Sequence, residues 1–182
     1  FPIVTEACKN GNFCLVSPEK LRYTVNEYKG GLSHGIERKY LIHKLPDHLE
    51  AYPHRTLEQA YLCTEPVVRV RRDADDYILT YKSKGLMIRE EHNLPLTEEA
   101  YCHLREKADG RIIKKERYCI PYGDHLTIEL DVFAGDLAPL LLAEVEFSSE
   151  EEANSFTPPD WFGEDVTFSS KYHNSTLSQK KD

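Results

Sequence analysis

The sequence predicts a mainly β domain of the α+β class, with eight antiparallel strands that can close into a small barrel and a few flanking helices. Three observations support this. Short runs of alternating polar and apolar residues dominate from Ile36 onward. Clear helical patterns are few. Several runs also carry charge at every second position, so that one face of the predicted sheet is charged.

The strands follow from alternating runs that turn-forming residues separate. In chain order, they are predicted at residues 36–41, 56–63, 67–72, 77–83, 87–92, 112–120, 125–132 and 142–147.

Helices are predicted at three places. One spans residues 97–107 with Thr97 as its N-cap, and a shorter one starts after Ser149, because both residues have a side-chain oxygen that can cap a helix. A third is expected at 136–141. Residues 1–33 differ in pattern from the rest and are assigned as an N-terminal extension of unknown role. Residues 34–182 then form the main domain.

Composition excludes several classes of partner. The formal net charge of −8 argues against a generic nucleic-acid coat and against a basic membrane-surface protein. The longest apolar stretch, residues 137–143, contains Pro139 and is far shorter than the roughly 20 residues that a membrane span needs. We therefore expect neither nucleic acid nor membrane as a partner.

The cysteines indicate a reducing compartment. There are five of them, scattered and without a CxxC pair, and the eight histidines show no spacing typical of zinc ligands. The first residues also lack the basic and apolar regions of a signal peptide. We expect a cytoplasmic protein.

Charge of one sign clusters on individual strands. A solvated face is the simplest interpretation of alternating charge, but neighbouring like charges repel unless something compensates them. Acidic pairs supply hard oxygen ligands for Mg²⁺ or Mn²⁺, and basic pairs supply donors for phosphate oxygens. A metal-polyphosphate ligand would therefore suit a sheet that closes around this face. The single-sign pairs are Arg69 and Arg71, Lys82 and Lys84, Lys115 and Arg117, Glu129 and Asp131, and Glu144 and Glu146.

The opposite face of these strands is aliphatic. In a closed sheet, it would pack outward against the helices. Its members are Ile36, Val68, Val70, Ile128, Leu130, Val132, Val145 and Phe147.

An ordered set of motifs resembles the CYTH proteins, the triphosphate tunnel metalloenzymes. The stretch from Gly35 to Ile42 is similar to the Glu-x-Glu-x-Lys opening of that family. Further matches follow in order at residues 59–62, 68–71, 79–85, 89–91, 115–118, 128–133, 143–147 and 171–175, so that the resemblance spans residues 34–178. It implies a tunnel of eight antiparallel strands that holds a triphosphate, and within the family the chain is similar to the short bacterial inorganic triphosphatases.

The resemblance also implies roles for individual residues. The phosphate chain would be held by Lys39, Arg69, Arg71, Lys82, Lys84, Arg117 and Lys171, with Glu90 supporting them. Mg²⁺ or Mn²⁺ would be bound by Glu37, Glu129, Asp131, Glu144 and Glu146. Within these sets, Lys39, Glu37 and Arg69 are the catalytic candidates.

One position departs from the family pattern, because Gly35 stands where the first Glu of the opening motif would fall. The expected function is metal-dependent hydrolysis of inorganic triphosphate to pyrophosphate and orthophosphate. Hydrolysis of nucleoside or thiamine triphosphates is an alternative of the same class. If the missing carboxylate at Gly35 abolishes metal binding, the other alternative is a non-catalytic protein that binds polyphosphate or nucleotide. The sequence leaves the oligomeric state open, with a homodimer as one possibility.

Overall fold

In the part of the chain that the structure describes, nine antiparallel strands form one sheet. The computed structural model describes residues 36–83 and 91–179. The strands are β1 (Ile36–Ile42), β2 (His54–Thr64), β3 (Val67–Asp73), β4 (Asp76–Lys82), β5 (Glu91–Pro95), β6 (Asp109–Tyr122), β7 (Leu126–Ala134), β8 (Leu141–Phe147) and β9 (Phe162–Asp165). Their order across the sheet is β5-β4-β3-β2-β6-β7-β8-β1-β9.

The predicted strands are confirmed in type and order, with two differences. β5 runs from Glu91 to Pro95, so it overlaps only the end of the predicted strand at 87–92, and residues 87–90 lie outside the described chain. β9 was not predicted. Its four residues lack an alternating pattern, and it forms only because it pairs with the edge of β1.

Among the described residues, three α-helices accompany the sheet: α1 (Glu98–Arg105), α2 (Glu150–Ser155) and α3 (Asn174–Leu177). The predicted caps are confirmed, since Thr97 accepts from the N–H of Ala100 and Ser149 from that of Glu152. None of the helices in the described part of the chain is long and apolar enough to cross a bilayer.

The helix predicted at 136–141 is wrong. Only a 3-10 turn, Gly135–Leu137, forms there, and Leu141 already begins β8. Ala138 takes an extended conformation, as expected for a residue before proline, because the ring of Pro139 disfavours helical geometry at the preceding position.

The outward face of the sheet carries most of the apolar core. Val70, Ile128, Leu130, Val145 and Phe147, all predicted for this face, are at most 4% exposed. The helices cover it as expected: α1 contributes a buried tyrosine over β2 and β3, and α2 a buried alanine beside β1 and β8.

The inward face is charged along most of its length and apolar at one end. There, Tyr61, Ile113, Phe133 and Leu142 form a buried cluster with Val166, from the segment that follows β9. This segment runs beside β1, where the N–H of Val166 donates to the carbonyl of Lys39 at 2.8 Å. Residues after β9 therefore close one end of the charged face.

The sheet is strongly curled. Glu37 on β1 and Lys82 on β4 interact electrostatically, although five strands separate them in the sheet order. Within residues 36–83 and 91–179, the outermost strands β5 and β9 are not paired with each other. The charged face is thus concave, as a tunnel requires.

Candidate active site

Strand register brings the predicted charged residues onto one face. In the β1, β8, β7 and β6 ladders, Lys39 lies opposite Glu144, Glu144 opposite Glu129, and Asp131 opposite Arg117. Alternation places every second residue of each strand on this face. The predicted site residues found here are Glu37, Lys39, Arg69, Arg71, Lys82, Arg117, Glu129, Asp131, Glu144 and Glu146.

Several like charges lie directly opposite each other. Glu37 faces Glu146, and Glu129 faces Glu144, on adjacent strands. Like charges in this arrangement destabilise a sheet unless a counter-charge lies between them. Repeated pairs of this kind indicate a surface built around an ionic ligand.

An acidic cavity of 460 Å³ lies at the open end of this face. Glu37, Glu129, Glu144 and Glu146 line it from the sheet, and His125 and Glu152, which form an ion pair with each other, also line it. Within the described parts of the chain, Glu37 and Glu146 form no ion pair, so these two carboxylates have the least compensation of the four.

The environment of Glu37 reflects this excess of negative charge. Although its side chain stays open to solvent, the surrounding protein desolvates it and so raises its pKa; the carboxylate of Glu144 raises it further. Lys39 and Lys82 oppose that shift without reversing it, and Glu146 adds to it. A cation in the cavity would favour the ionised form of Glu37.

Arg117 joins the acidic and basic parts of the face. Its Nε donates to Asp131 Oδ1 at 2.6 Å, and its Nη2 donates to Asp131 Oδ2 at 2.7 Å and to Glu144 Oε2 at 2.9 Å. Its Nη1 donates to Glu129. These contacts outweigh the effect of burial and hold the pKa of Arg117 well above its usual range. Arg117 therefore stays charged and fixes three carboxylates.

A buried ion pair lies behind Arg117. The Lys115 ammonium donates to Asp131, and the side chains are 0% and 1% exposed. Burial lowers the pKa of Lys115, while Asp131 acts in the opposite direction. Buried charges of this kind do not occur on a face that looks into water, so the solvated-face interpretation fails.

Lys39 completes the central network. Its Nζ lies 2.8 Å from Glu144 Oε1. Burial raises the pKa of Glu144, but Arg117, Lys39 and Lys115 outweigh it and hold that pKa at about 2. Glu144 is thus ionised at neutral pH and shared between two cationic side chains.

The basic part of the face lies on β3 and β4. Arg69 Nη1 donates to Gln59 Oε1 at 3.4 Å, and Lys82 Nζ lies 2.8 Å from Glu91 Oε2. The Nε of Arg69 is buried and has no hydrogen-bond partner among residues 36–83 and 91–179. Buried polar atoms are nearly always satisfied, so an orphaned guanidinium donor here points to an anion.

Lys171 does not lie on this face. It sits in an exposed 3-10 turn, Ser170–Tyr172, with its Nζ 5.0 Å from the centre of the Tyr172 ring. Its contact with phosphate stays a prediction. Lys84, Glu90 and Gly35 lie outside the described residues.

The sequence prediction also missed members of the face. Arg55, Gln59 and Asp73 belong to it through the β2 and β3 registers, and Lys115 was noticed only as a basic neighbour of Arg117. Their spacing could have identified them, because residues an even number apart on a strand share a face. Each of the four lies an even number of residues from a predicted site residue or from Tyr61. A neutral glutamine and an arginine amid mixed neighbours do not stand out by charge alone.

The donor set fits a hard divalent cation. Carboxylate oxygens are ligands that Mg²⁺ and Mn²⁺ prefer, and five glutamates line the cavity, four of them on the strands β1, β7 and β8. Among the described residues, no group of three or more His, Cys, Asp or Glu side chains is already arranged to hold a metal ion. Asp131 is the least suited of the predicted ligands, because Lys115 and Arg117 occupy its oxygens.

Comparison with known proteins agrees with the geometry. The model of the CYTH domain matches residues 33–181. The inorganic triphosphatase of Nitrosomonas europaea is 42% identical over 147 residues, which are 79% of this chain and 95% of that protein. The inorganic triphosphatase of Acetivibrio thermocellus is 37% identical over 115 residues, or 60% and 70% of the two chains.

A solved structure gives the same result at the level of the fold. The crystal structure of an inorganic triphosphatase superposes with a TM-score of 0.68 at 37% identity and covers 84% of this chain and 99% of its own. With a matching family model, close relatives and a shared fold, the chain belongs to the CYTH domain family.

Proposed function

We propose that this protein is a metal-dependent hydrolase of inorganic triphosphate, which it cleaves with water to pyrophosphate and orthophosphate. The observation that carries the proposal is the charged concave face, on which acidic residues pair with acidic residues across β1, β8 and β7 while guanidinium groups line the remainder. The curated relatives described above bear the name of this activity.

The acidic cavity supplies the metal-binding part of the site. Glu37 and Glu146, which form no ion pair in the described chain, are its best-placed ligands. Glu129 and Glu144 also line it, with oxygens that they share with Lys39 and Arg117. A bound Mg²⁺ or Mn²⁺ supplies neutralisation of phosphate oxygens and activation of water. Asp131 instead holds Lys115 and Arg117 in place, which makes it a positioning residue in this scheme.

The basic residues supply the substrate-binding part. Phosphoryl transfer needs little covalent chemistry from the protein, since positioning and charge stabilisation do most of the work. Arg69, Arg71 and Lys82 would bind phosphate oxygens from one side of the face, and Lys39 and Arg117 from the other. Because these groups are fixed before substrate arrives, they stabilise the developing charge without reorganising. Lys84 would extend this set.

Gly35 is the reason to consider a second, non-catalytic function. It replaces a carboxylate in the family's opening motif, and metal affinity falls when a ligand or its support is removed. A chain that had lost its metal would bind polyphosphate or nucleotide without turnover. Nucleoside and thiamine triphosphates are the alternative substrates of an active enzyme.

The test is phosphate release from inorganic triphosphate, ATP and thiamine triphosphate, each with Mg²⁺ and with Mn²⁺, on this chain and on Gly35→Glu. We expect turnover of inorganic triphosphate to exceed that of the other two, and Gly35→Glu to raise it or to lower the metal concentration required. Binding of triphosphate without turnover in either chain would favour the non-catalytic alternative.

A further inference from the structure

Strand β2 carries a guanidinium that the proposed site does not yet use. The basic residues of the proposed site lie on β1, β3, β4 and β6, although β2 runs between β3 and β6. Arg55 fills that gap. It lies directly opposite Arg117 in the β2 and β6 register, and on the same face.

Arg55 is held at one edge and open at the other. Its Nε lies 2.8 Å from Asp73 Oδ1, and its Nη1 donates to Cys119 Sγ at 3.3 Å. Its Nη2 is 3.8 Å from Glu129 Oε1, which is too long for a hydrogen bond. A guanidinium has five N–H groups, and in the described chain those of Arg55 make one hydrogen bond, to Cys119, and two ion-pair contacts, to Asp73 and Glu129. The side chain is 37% exposed, so the rest can reach a ligand.

Arg55 lies beside a second cation, and the carboxylates near it are shared. Two arginines directly opposite each other repel, as two glutamates would. Asp73 and, at 3.8 Å, Glu129 offset this repulsion. Both carboxylates have another cationic partner, since Asp73 Oδ2 also lies 4.0 Å from Arg71 Nε and Glu129 accepts from Arg117. The guanidinium groups of Arg55, Arg71 and Arg117 thus line the same face, where their forked donors suit phosphate oxygens.

We propose that Arg55 is a further substrate-binding residue, which contacts a linear polyphosphate between Arg71 and Arg117, and that Asp73 positions it. The inference rests on the proposed function, because that function supplies the ligand. A merely structural alternative exists: an Arg55–Asp73 pair that joins β2 to β3 and contributes to stability alone.

The experiment compares Arg55→Gln with Arg72→Gln. Arg72 is an exposed arginine on the opposite face of β3, where its Nε donates to the carbonyl of Ala74, so it controls for loss of one positive charge. We measure KM and kcat for inorganic triphosphate at saturating Mg²⁺, and the rise in melting temperature that triphosphate gives without metal. Arg55→Gln should raise KM by about tenfold or more, the effect of one hydrogen bond to a charged group. Arg72→Gln should leave KM unchanged.

Two further variants keep the inference testable. Arg55→Lys retains the charge but not the forked donors, so its KM should lie between those of the wild type and Arg55→Gln, and it serves if Arg55→Gln does not fold. Asp73→Asn should raise KM in the same direction. Equal KM values and equal thermal shifts for Arg55→Gln, Arg72→Gln and the wild type would overturn the proposal.

Failure of the proposed function gives a different result. If the wild type does not hydrolyse triphosphate, the hydrolase assignment is overturned, but the metal-free thermal shift still reports on Arg55. A shift that is smaller in Arg55→Gln than in Arg72→Gln supports binding by Arg55 even then.

Discussion

At the scale of single residues, the site depends most on Arg117. One guanidinium satisfies Asp131, Glu129 and Glu144, and it is nearly enclosed by them. Removal of one partner from such a network leaves buried carboxylates without compensation, which costs more than the network contributes in net terms. Residues of this kind serve folding and ligand binding at once.

Arg117→Gln should therefore lower the free energy of unfolding by about 3 to 5 kcal/mol, the usual cost of breaking a buried pair. Urea denaturation measures this, with Arg72→Gln as the control for a surface arginine. An unchanged midpoint for Arg117→Gln would show that the contacts of Arg117 do not hold the face together.

Glu144 gives a prediction about pH. Its pKa is held at about 2 against an ordinary value of 4.5, so its ionised form stabilises the fold above pH 4.5. That contribution is lost as the pH falls from 4.5 through 2. The stability of the metal-free wild type should fall more steeply over this window than that of Glu144→Gln. Parallel stability curves would contradict the assigned pKa.

The sequence was enough to identify most charged residues of the inner face, because successive side chains of a strand point to opposite faces. Once one charged position on β7 is known, the next follows two residues later, and the same holds on β8. Lys115 and Arg55 were harder to assign, because their roles depend on partners more than ten residues away, such as Asp131 and Asp73. Register between strands, which the sequence pattern does not give, decides such contacts.

At the scale of elements, α1 is fixed to the outside of the sheet by a polar contact. Glu58 on β2 accepts from Tyr101 Oη at 2.8 Å and from Arg105 Nε at 2.5 Å. Burial raises the pKa of Glu58, but these donors outweigh it and lower the pKa overall. Lys114, 3.4 Å away, adds to the pair. A single carboxylate thus connects the helix to β2 and β6.

Glu58→Gln should loosen α1 without touching the charged face. We expect a loss of about 1.5 to 3 kcal/mol in unfolding free energy, the value of a hydrogen bond to a charged group, with KM for triphosphate unchanged. Hydrogen exchange in α1 and urea denaturation measure this. If Glu58→Gln changed KM but unfolded with the same free energy as the wild type, α1 would take part in the site.

Elements differed in how far the sequence could predict them. The caps of α1 and α2 are local, so Thr97 and Ser149 were enough to place both helices. The segment 136–141 looked helical by composition, but Pro139 stops a helix there. β9 has only four residues, and its pairing with β1 is a long-range contact with no local pattern.

At the scale of the whole molecule, the chain has a formal net charge of −8, and charge is segregated along its curled sheet. A generally acidic protein that binds a polyanion must concentrate its basic groups, and here they are gathered on the inner face of β2, β3, β4 and β6. Without a ligand, these groups repel one another, so anions that bind the folded state should stabilise it.

Triphosphate should therefore raise the melting temperature by several degrees. A ligand at a hundredfold excess over Kd contributes about 2.7 kcal/mol, and for a chain of this size each kcal/mol corresponds to roughly 2 to 4 °C. Orthophosphate should do less at matched ionic strength, because it reaches fewer strands. Equal shifts for the two anions would indicate a general salt effect instead of a site for a linear chain.

The most direct test of the central claim is a time course of inorganic triphosphate hydrolysis followed by phosphorus NMR. With Mg²⁺ or Mn²⁺, triphosphate should disappear as pyrophosphate and orthophosphate appear in equal amounts. Chelation of the metal, Glu146→Ala and Arg69→Ala should each suppress the reaction while the fold is kept. Turnover that persists in both variants would contradict the claim that the charged face of the sheet is the active site.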